Sequence, residues 1–299
     1  MEAGDRWRRP PDAVLAGRRR GARSGPHLPC GDRERQKAAS AFWSGIFHGI
    51  FSCATRARPD GMSFLLAAAA GSLKTSSVLE MLYPRPSYDA RRMLARDAAL
   101  ARSSLSAGGI PLAGDSMTYG EFDLDFLGSL LEAAGPQKGD TFVDLGSGCG
   151  RLVLGAALLQ PNVWAECHGI ELLPELHNEA VAARMRMDEL PELSAAPIAP
   201  VGFTCADLWS DEAAAPLSAA SVAFAYAVTW ARDDEEGCLT ELSALLARRL
   251  SDDARVVSID LRLRSDAQAT FEPLAEVAGW NAETGDSTGH VYRVRKAGL

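Results

Sequence analysis

The sequence has 299 residues, 47% hydrophobic and 23% charged, which is a globular composition and neither fibrous nor wholly disordered. No apolar run reaches the ~20 residues that span a bilayer. The net charge of −8 argues against a dedicated nucleic-acid binder. The charge is unevenly placed, however: residues 1–60 carry 12 Lys/Arg against 6 Asp/Glu, and the remainder 19 against 33.

Residues 1–60 therefore read as a basic leader, of which residues 1–40 are rich in Arg, Gly, Pro and Ser with no period of 2 or 3.6 to support a fold. Two readings stand, an Arg-rich transit peptide or a solvated basic tail; Glu2, Asp5, Asp12, Asp32 and Glu34 are unusual for the former. Within the leader, Phe42, Trp43, Ile46, Phe47, Ile50 and Phe51 would line one helical face, suited to docking on the domain or on a membrane surface. Residues 61–110 predict a helical extension, broken at Pro84 and Pro86.

Strand-like and helix-like stretches alternate from residue 111 to residue 299, the predicted catalytic domain. Phe122, Phe126 and Leu130, with Leu127 and Leu131 alongside, predict an amphipathic helix. Thr118-x-x-Glu121 before it has the spacing of a capping box. Thr141 to Leu145 predicts a buried strand, Gly146 to Gly150 a turn, and Leu152 to Leu159 a helix ended by Pro161. Further strands are predicted to about Ile170, at Val201 to Cys205, Ser221 to Val228, Arg255 to Leu263 and Val291 to Arg295. Helices are predicted at Pro174 to about Met187 and at Glu235 to Leu250. Such alternation predicts an α/β domain with a mostly parallel sheet and helices on both faces. Its ligand would sit at the carboxyl ends of the strands.

The six cysteines, 30, 53, 149, 167, 205 and 238, form no C-x-x-C, and no His stands at zinc-finger spacing. No metal site and a reducing, intracellular compartment are expected, with cytoplasm, nucleus and organelle left open. Cys149 reads as a filler of the turn, and His168 and His177 as structural.

The turn carries the chemistry. Val143-Asp144-Leu145-Gly146-Ser147-Gly148-Cys149-Gly150 places an acid directly before G-x-G-x-G. Glycines let a ligand approach the backbone, and the following helix offers free N–H groups. The G-x-G-x-x-G spacing of dinucleotide sites fails in both registers. An acid at this place suits a ligand with an ammonium group and would repel pyrophosphate. Two more acids follow at strand ends: Glu171 in His168-Gly169-Ile170-Glu171, and Asp207 in Cys205-Ala206-Asp207-Leu208-Trp209.

This set resembles the class I S-adenosylmethionine (SAM) methyltransferases, which implies a Rossmann-like seven-stranded fold and SAM as cofactor. The resemblance implies Asp144 for the amino group, Glu171 for the ribose hydroxyls and Asp207 for the adenine amine. Tyr119-Gly120-Glu121, followed by Phe122 to Leu131 and the glycine turn, narrows it. It is similar to the disruptor-of-telomeric-silencing histone-lysine methyltransferases, in which the Tyr-Gly-Glu loop contacts SAM. Gly150-Arg151-Leu152-Val153-Leu154, Ala206-Asp207-Leu208-Trp209 and Asp252 to Val257 are also similar to the mitochondrial lysine methyltransferases of the ATP synthase c subunit and the adenine nucleotide translocase. The carried-over cofactor set is Tyr119, Glu121, Asp144, Gly146, Ser147, Gly148, Gly150, Glu171, Leu172, Asp207 and Leu208. The aromatics expected beside the methyl group, and so the catalytic candidates, are Tyr119, Tyr226 and Trp230.

The sequence departs from the histone enzymes at Phe224-Ala225-Tyr226, where they carry Asn-Asn-Phe, and at Arg151, where they carry glutamine. It has no lysine-rich segment after residue 260. The leading reading is a methyltransferase acting on a protein lysine, with nucleosome contact only through the basic N-terminus. A small-molecule methyltransferase and a non-catalytic SAM-binding scaffold are the alternatives.

Overall fold

A computed structural model describes residues 74–105, 118–194, 196–230, 232 and 237–298. The basic leader, its apolar stripe at 42–51 and the first part of the helical extension lie outside the described residues. In chain order the elements are α1 (Thr75–Leu82), α2 (Tyr88–Leu105), α3 (Leu124–Ala134), β1 (Asp140–Leu145), α4 (Arg151–Leu159), β2 (Trp164–Glu171), α5 (Pro174–Glu189), β3 (Val201–Cys205), α6 (Ala214–Ala219), β4 (Val222–Ala225), α7 (Thr240–Arg249), β5 (Arg255–Ile259), β6 (Ala269–Asn281) and β7 (Gly285–Lys296). Among the described residues, no helix is long and apolar enough to cross a membrane.

The seven strands form one sheet in the order β3-β2-β1-β4-β5-β7-β6. It is mixed. The first five pair in parallel, whereas β7 runs antiparallel to both β5 and β6. The expectation of a mostly parallel sheet is corrected to that extent. The two long end strands are a hairpin, and a hairpin connection makes its strands antiparallel.

Strand alternation builds a core on each face. Phe142 and Val143 are adjacent and both fully buried, yet they enter different cores. Phe142, Val257 and Val291 pack with Leu79, Leu127, Leu130 and Val153 of α1, α3 and α4. Val143, Val256 and Val294 pack with Leu217 of α6 and Leu242 and Leu246 of α7. The buried stripe of α3, Phe126, Leu127, Leu130 and Leu131, follows the predicted period. Gly279 and Gly289 of the hairpin leave the room that Phe126 and Leu130 occupy.

Several boundaries differ from the sequence reading. Thr118 and Glu121 do not form a capping box. The helix begins three residues beyond Glu121, and Asp123 caps it, its side chain accepting from the Phe126 N–H at 2.8 Å. Asp is as good an N-cap as Thr, and Glu121 has ionic partners elsewhere. Strand β4 ends at Ala225, after which the chain turns so that the Trp230 N–H bonds the Ala227 carbonyl at 3.0 Å. Strand β5 ends at Ile259, because Asp260 adopts φ 59° and its carboxylate accepts from the Thr288 N–H. Helix α7 begins at Thr240, and residues 233–236 lie outside the described residues.

Candidate active site

The glycine turn joins β1 to α4 at the carboxyl edge of the sheet. The Gly146 and Ser147 N–H groups both bond the Ile170 carbonyl at 2.9 Å, which fixes the turn against β2. Gly146, Gly148 and Gly150 all have positive φ. At Gly148 the demand is for space as well: an added methyl group would lie 2.7 Å from the Tyr119 ring. The side chain of Ser147 turns away onto Gly169 of β2, and its hydroxyl is buried without a hydrogen-bond partner among the described residues.

Two carboxylates stand beside the turn. Glu171, at the end of β2, accepts from the Gly148 N–H at 2.7 Å and from the Leu173 N–H at 2.8 Å. Leu172 contributes a third backbone donor to it. Burial raises its pKa, and these backbone donors oppose the rise. Asp144, only 2% exposed, is pushed up to about 8 by burial and then by the nearby Glu171 charge. Two buried acids so placed favour a ligand that brings positive charge and hydroxyl donors. SAM offers an α-ammonium group and two ribose hydroxyls, so the donor set fits it. The third acid, Asp207, lies in the loop after β3, exposed to solvent, and caps that loop by accepting from the Trp209 N–H at 3.0 Å. Leu208 beside it is buried in the core of the α6–α7 face.

Tyr119 covers the turn. Its hydroxyl lies 2.6 Å from the Cys149 thiol and donates to Glu121 at 3.1 Å. Burial pushes the Cys149 thiol up to about 11, so it is a packed thiol and no thiolate nucleophile. Glu121 is gripped by Arg91 of α2 and Arg151 of α4.

The three expected aromatics do not share one wall. Tyr226 stands on the α3 side, edge-on to Phe122 at 5.1 Å and in contact range of Gly120. Its hydroxyl accepts from the Asn281 amide at 2.7 Å. Trp230 is on the α6–α7 side, where its ring stands 3.0 Å from the position of a methyl group added at Gly146. It pairs with the exposed Trp209 at 6.4 Å between ring centres. The structure thus gathers Tyr119, Trp230, Asp144 and Glu171 around one turn, with Tyr226 apart beside Gly120 and Asp207 in the exposed loop after β3.

Sequence reasoning missed Arg91, Tyr83, Asn281 and Glu283. Arg91 lies on α2, Tyr83 directly follows α1, and Glu283 is at the tip of the β6–β7 hairpin. Glu283 accepts from the Tyr88 hydroxyl and lies near Gly120. Only the odd proximity of Tyr83, Tyr88 and Arg91 in an otherwise plain helical stretch could have marked them.

One similar solved structure is an RNA methyltransferase from Salinibacter ruber in complex with S-adenosyl-L-homocysteine. It is 25% identical, covers 57% of this chain and 91% of its own, and has a TM-score of 0.38. Another is a SAM-dependent methyltransferase from Thiobacillus denitrificans, also with S-adenosyl-L-homocysteine, at 22% identity, 54% of each chain and a TM-score of 0.32. The search of curated proteins finds no match. Residues 112–270 match the family described as "Histone methylation protein DOT1". That stretch is more than half of the chain and contains the Tyr119–Glu121 loop, the glycine turn and all three acids, so the chain belongs to the histone methylation protein DOT1 family and has the class I SAM-dependent methyltransferase fold.

Proposed function

We propose that this protein transfers the methyl group of SAM to a lysine side chain of a protein. The observation that carries the reading is the buried pair Asp144 and Glu171 on either side of the glycine turn, with Glu171 already bonded to the Gly148 N–H. Family membership supports a protein acceptor. Bound SAM supplies an electrophilic methyl on a sulfonium. Glu171 would hold the ribose, Asp144 the ammonium end, and Asp207 the adenine rim.

The chain's other task is to present a neutral amine in line with the methyl. A lysine amine has a reference pKa of ~10.4 and must shed its proton before it can attack. An apolar aromatic wall does this by desolvation. Phe122 and the half-buried Tyr226 form such a wall beside Gly120. Much of the remaining rate gain is orientation.

The charge of the domain bears on which protein is methylated. Residues 61–299 carry 19 basic against 33 acidic residues, a surface that repels DNA phosphates. Extract proteins other than nucleosomes are therefore the favoured acceptors. The test is incubation of the full chain with tritiated SAM and cell extract, followed by gel separation and mass spectrometry of labelled bands. Label on protein lysines supports the reading. Label confined to the small-molecule fraction gives the runner-up, and no label from a protein that binds SAM gives the scaffold.

A further inference from the structure

Helices α1 and α2 carry none of the residues expected at the site, yet they reach its centre. Arg91, on α2, is 3% exposed. Its guanidinium donates to the Glu121 carboxylate and to the Pro86 carbonyl. It also lies over the Tyr83 ring, 5.4 Å from the ring centre. The Tyr83 hydroxyl donates to the Cys149 carbonyl, inside the glycine turn, at 2.7 Å. Glu121 meets Arg151 Nε at 3.2 Å as an ion pair and accepts from the Tyr119 hydroxyl. The Tyr119 ring in turn presses on Gly148. Two routes therefore run from one guanidinium to the turn, through Glu121 to Tyr119 and through Tyr83 to Cys149.

We propose that Arg91 is a positioning residue for the cofactor cleft, acting through Glu121 to fix Tyr119 over the glycine turn. A planar guanidinium serves two acceptors in different directions at once, which an ammonium does less well. Without Arg91 the half-buried Glu121 carboxylate keeps only Arg151 as a cationic partner; it would turn towards Arg151 and water and release the Tyr119 hydroxyl. The effect on SAM rests on the function proposed above. The effect on Tyr119 does not.

Alkylation of Cys149 tests the second effect directly. Its thiol is fully buried under Tyr119, whereas Cys205 is exposed and serves as the internal standard. Full-length wild type, R91M, R91K, E121Q and R91M/E121Q are treated with iodoacetamide, and each cysteine is read by mass spectrometry. SAM affinity is measured in parallel by calorimetry. Arg91→Met should expose Cys149 and weaken SAM about tenfold or more, as expected when one partner of a buried pair is removed. Arg91→Lys keeps the charge but not the fork, so it should recover only part of both, and the double variant should be no worse than R91M.

Should R91M not fold, E121Q reads the same link from its accepting end. A lost ligand contact at Glu121 would not by itself expose Cys149. Cys149 protection equal to wild type in whichever of the two variants folds overturns the proposal, as does additive loss in the double variant. Wild-type protein that binds no SAM overturns the proposed function, while the alkylation still reads the Arg91 link.

Discussion

Glu171 and Gly148 are joined by a 2.7 Å hydrogen bond from the Gly148 N–H to the Glu171 carboxylate. The bond ties the end of β2 to the middle of the glycine turn before any ligand arrives. A carboxylate so held keeps its second oxygen on the Leu173 N–H, and its orientation is set by the backbone alone. Glu171→Ala removes this anchor and a ligand acceptor together. Loss of a charge-assisted bond costs about 1.5–3 kcal/mol. Calorimetry should show SAM affinity lowered by that amount, with circular dichroism of the folded chain retained.

Asp144 should give SAM binding a pH dependence. Its pKa of about 8 leaves it largely protonated at neutral pH, whereas an ammonium ligand favours the carboxylate. SAM affinity should therefore rise by about tenfold per pH unit on approach to pH 8 and level off above it. Asp144→Asn should bind weakly and flatten the profile.

The same group acts on stability with the opposite sign. Its folded pKa is raised, so its contribution is greatest below about pH 4 and is lost as pH rises through about 8. In the absence of SAM, Asp144→Asn should melt above wild type at pH 8 and close to it at pH 4. A scanning calorimeter at the two pH values checks both.

Gly148→Ala should be damaging for two reasons that add. Its φ of +54° disfavours any side chain, and the new methyl group would stand 2.7 Å from the Tyr119 ring. Displaced Tyr119 loses its bond to Glu121. A stability loss of about 1–3 kcal/mol in chemical unfolding, with SAM affinity reduced further, is the expected outcome.

The separation of the aromatics predicts separable phenotypes. Trp230 stands over Gly146, so SAM should change the fluorescence of the Trp209–Trp230 pair, and Trp230→Phe should remove most of that signal. Tyr226→Phe keeps the ring and loses the bond from Asn281. It should lower turnover while SAM affinity stays within about threefold of wild type, since a neutral hydrogen bond contributes about 0.5–1.5 kcal/mol.

How much of this was legible follows from where each signal sits in the chain. The G-x-G-x-G turn, Asp144 and Glu171 are local to one βαβ unit, and their residue types announce the chemistry. The strand Thr141–Leu145 was visible for the same reason, as a short apolar run between a helix and a glycine turn. Strand β6 was not visible. It contains Pro273 at a register shift, several alanines and Gly279, and it gains its place only by pairing with β7. The Thr118-x-x-Glu121 spacing reads as a helix cap because Glu121's partners, Arg91 and Arg151, are 30 residues away on each side, and spacing cannot show such contacts. Tyr226 and Trp230 are both expected beside the methyl group, but the turn after β4 sends them to opposite faces of the sheet.

The Tyr88–Glu283 contact spans 195 positions of the chain. A ribosome delivers α2 long before the β6–β7 hairpin, so the mouth of the cleft beside Gly120 waits for the hairpin tip to be synthesised. Nascent chains stalled before residue 283 should carry an assembled glycine turn but an open mouth. The hairpin tip is therefore the last-made part of this contact, and a chain that lacks it leaves Tyr88 without its Glu283 acceptor.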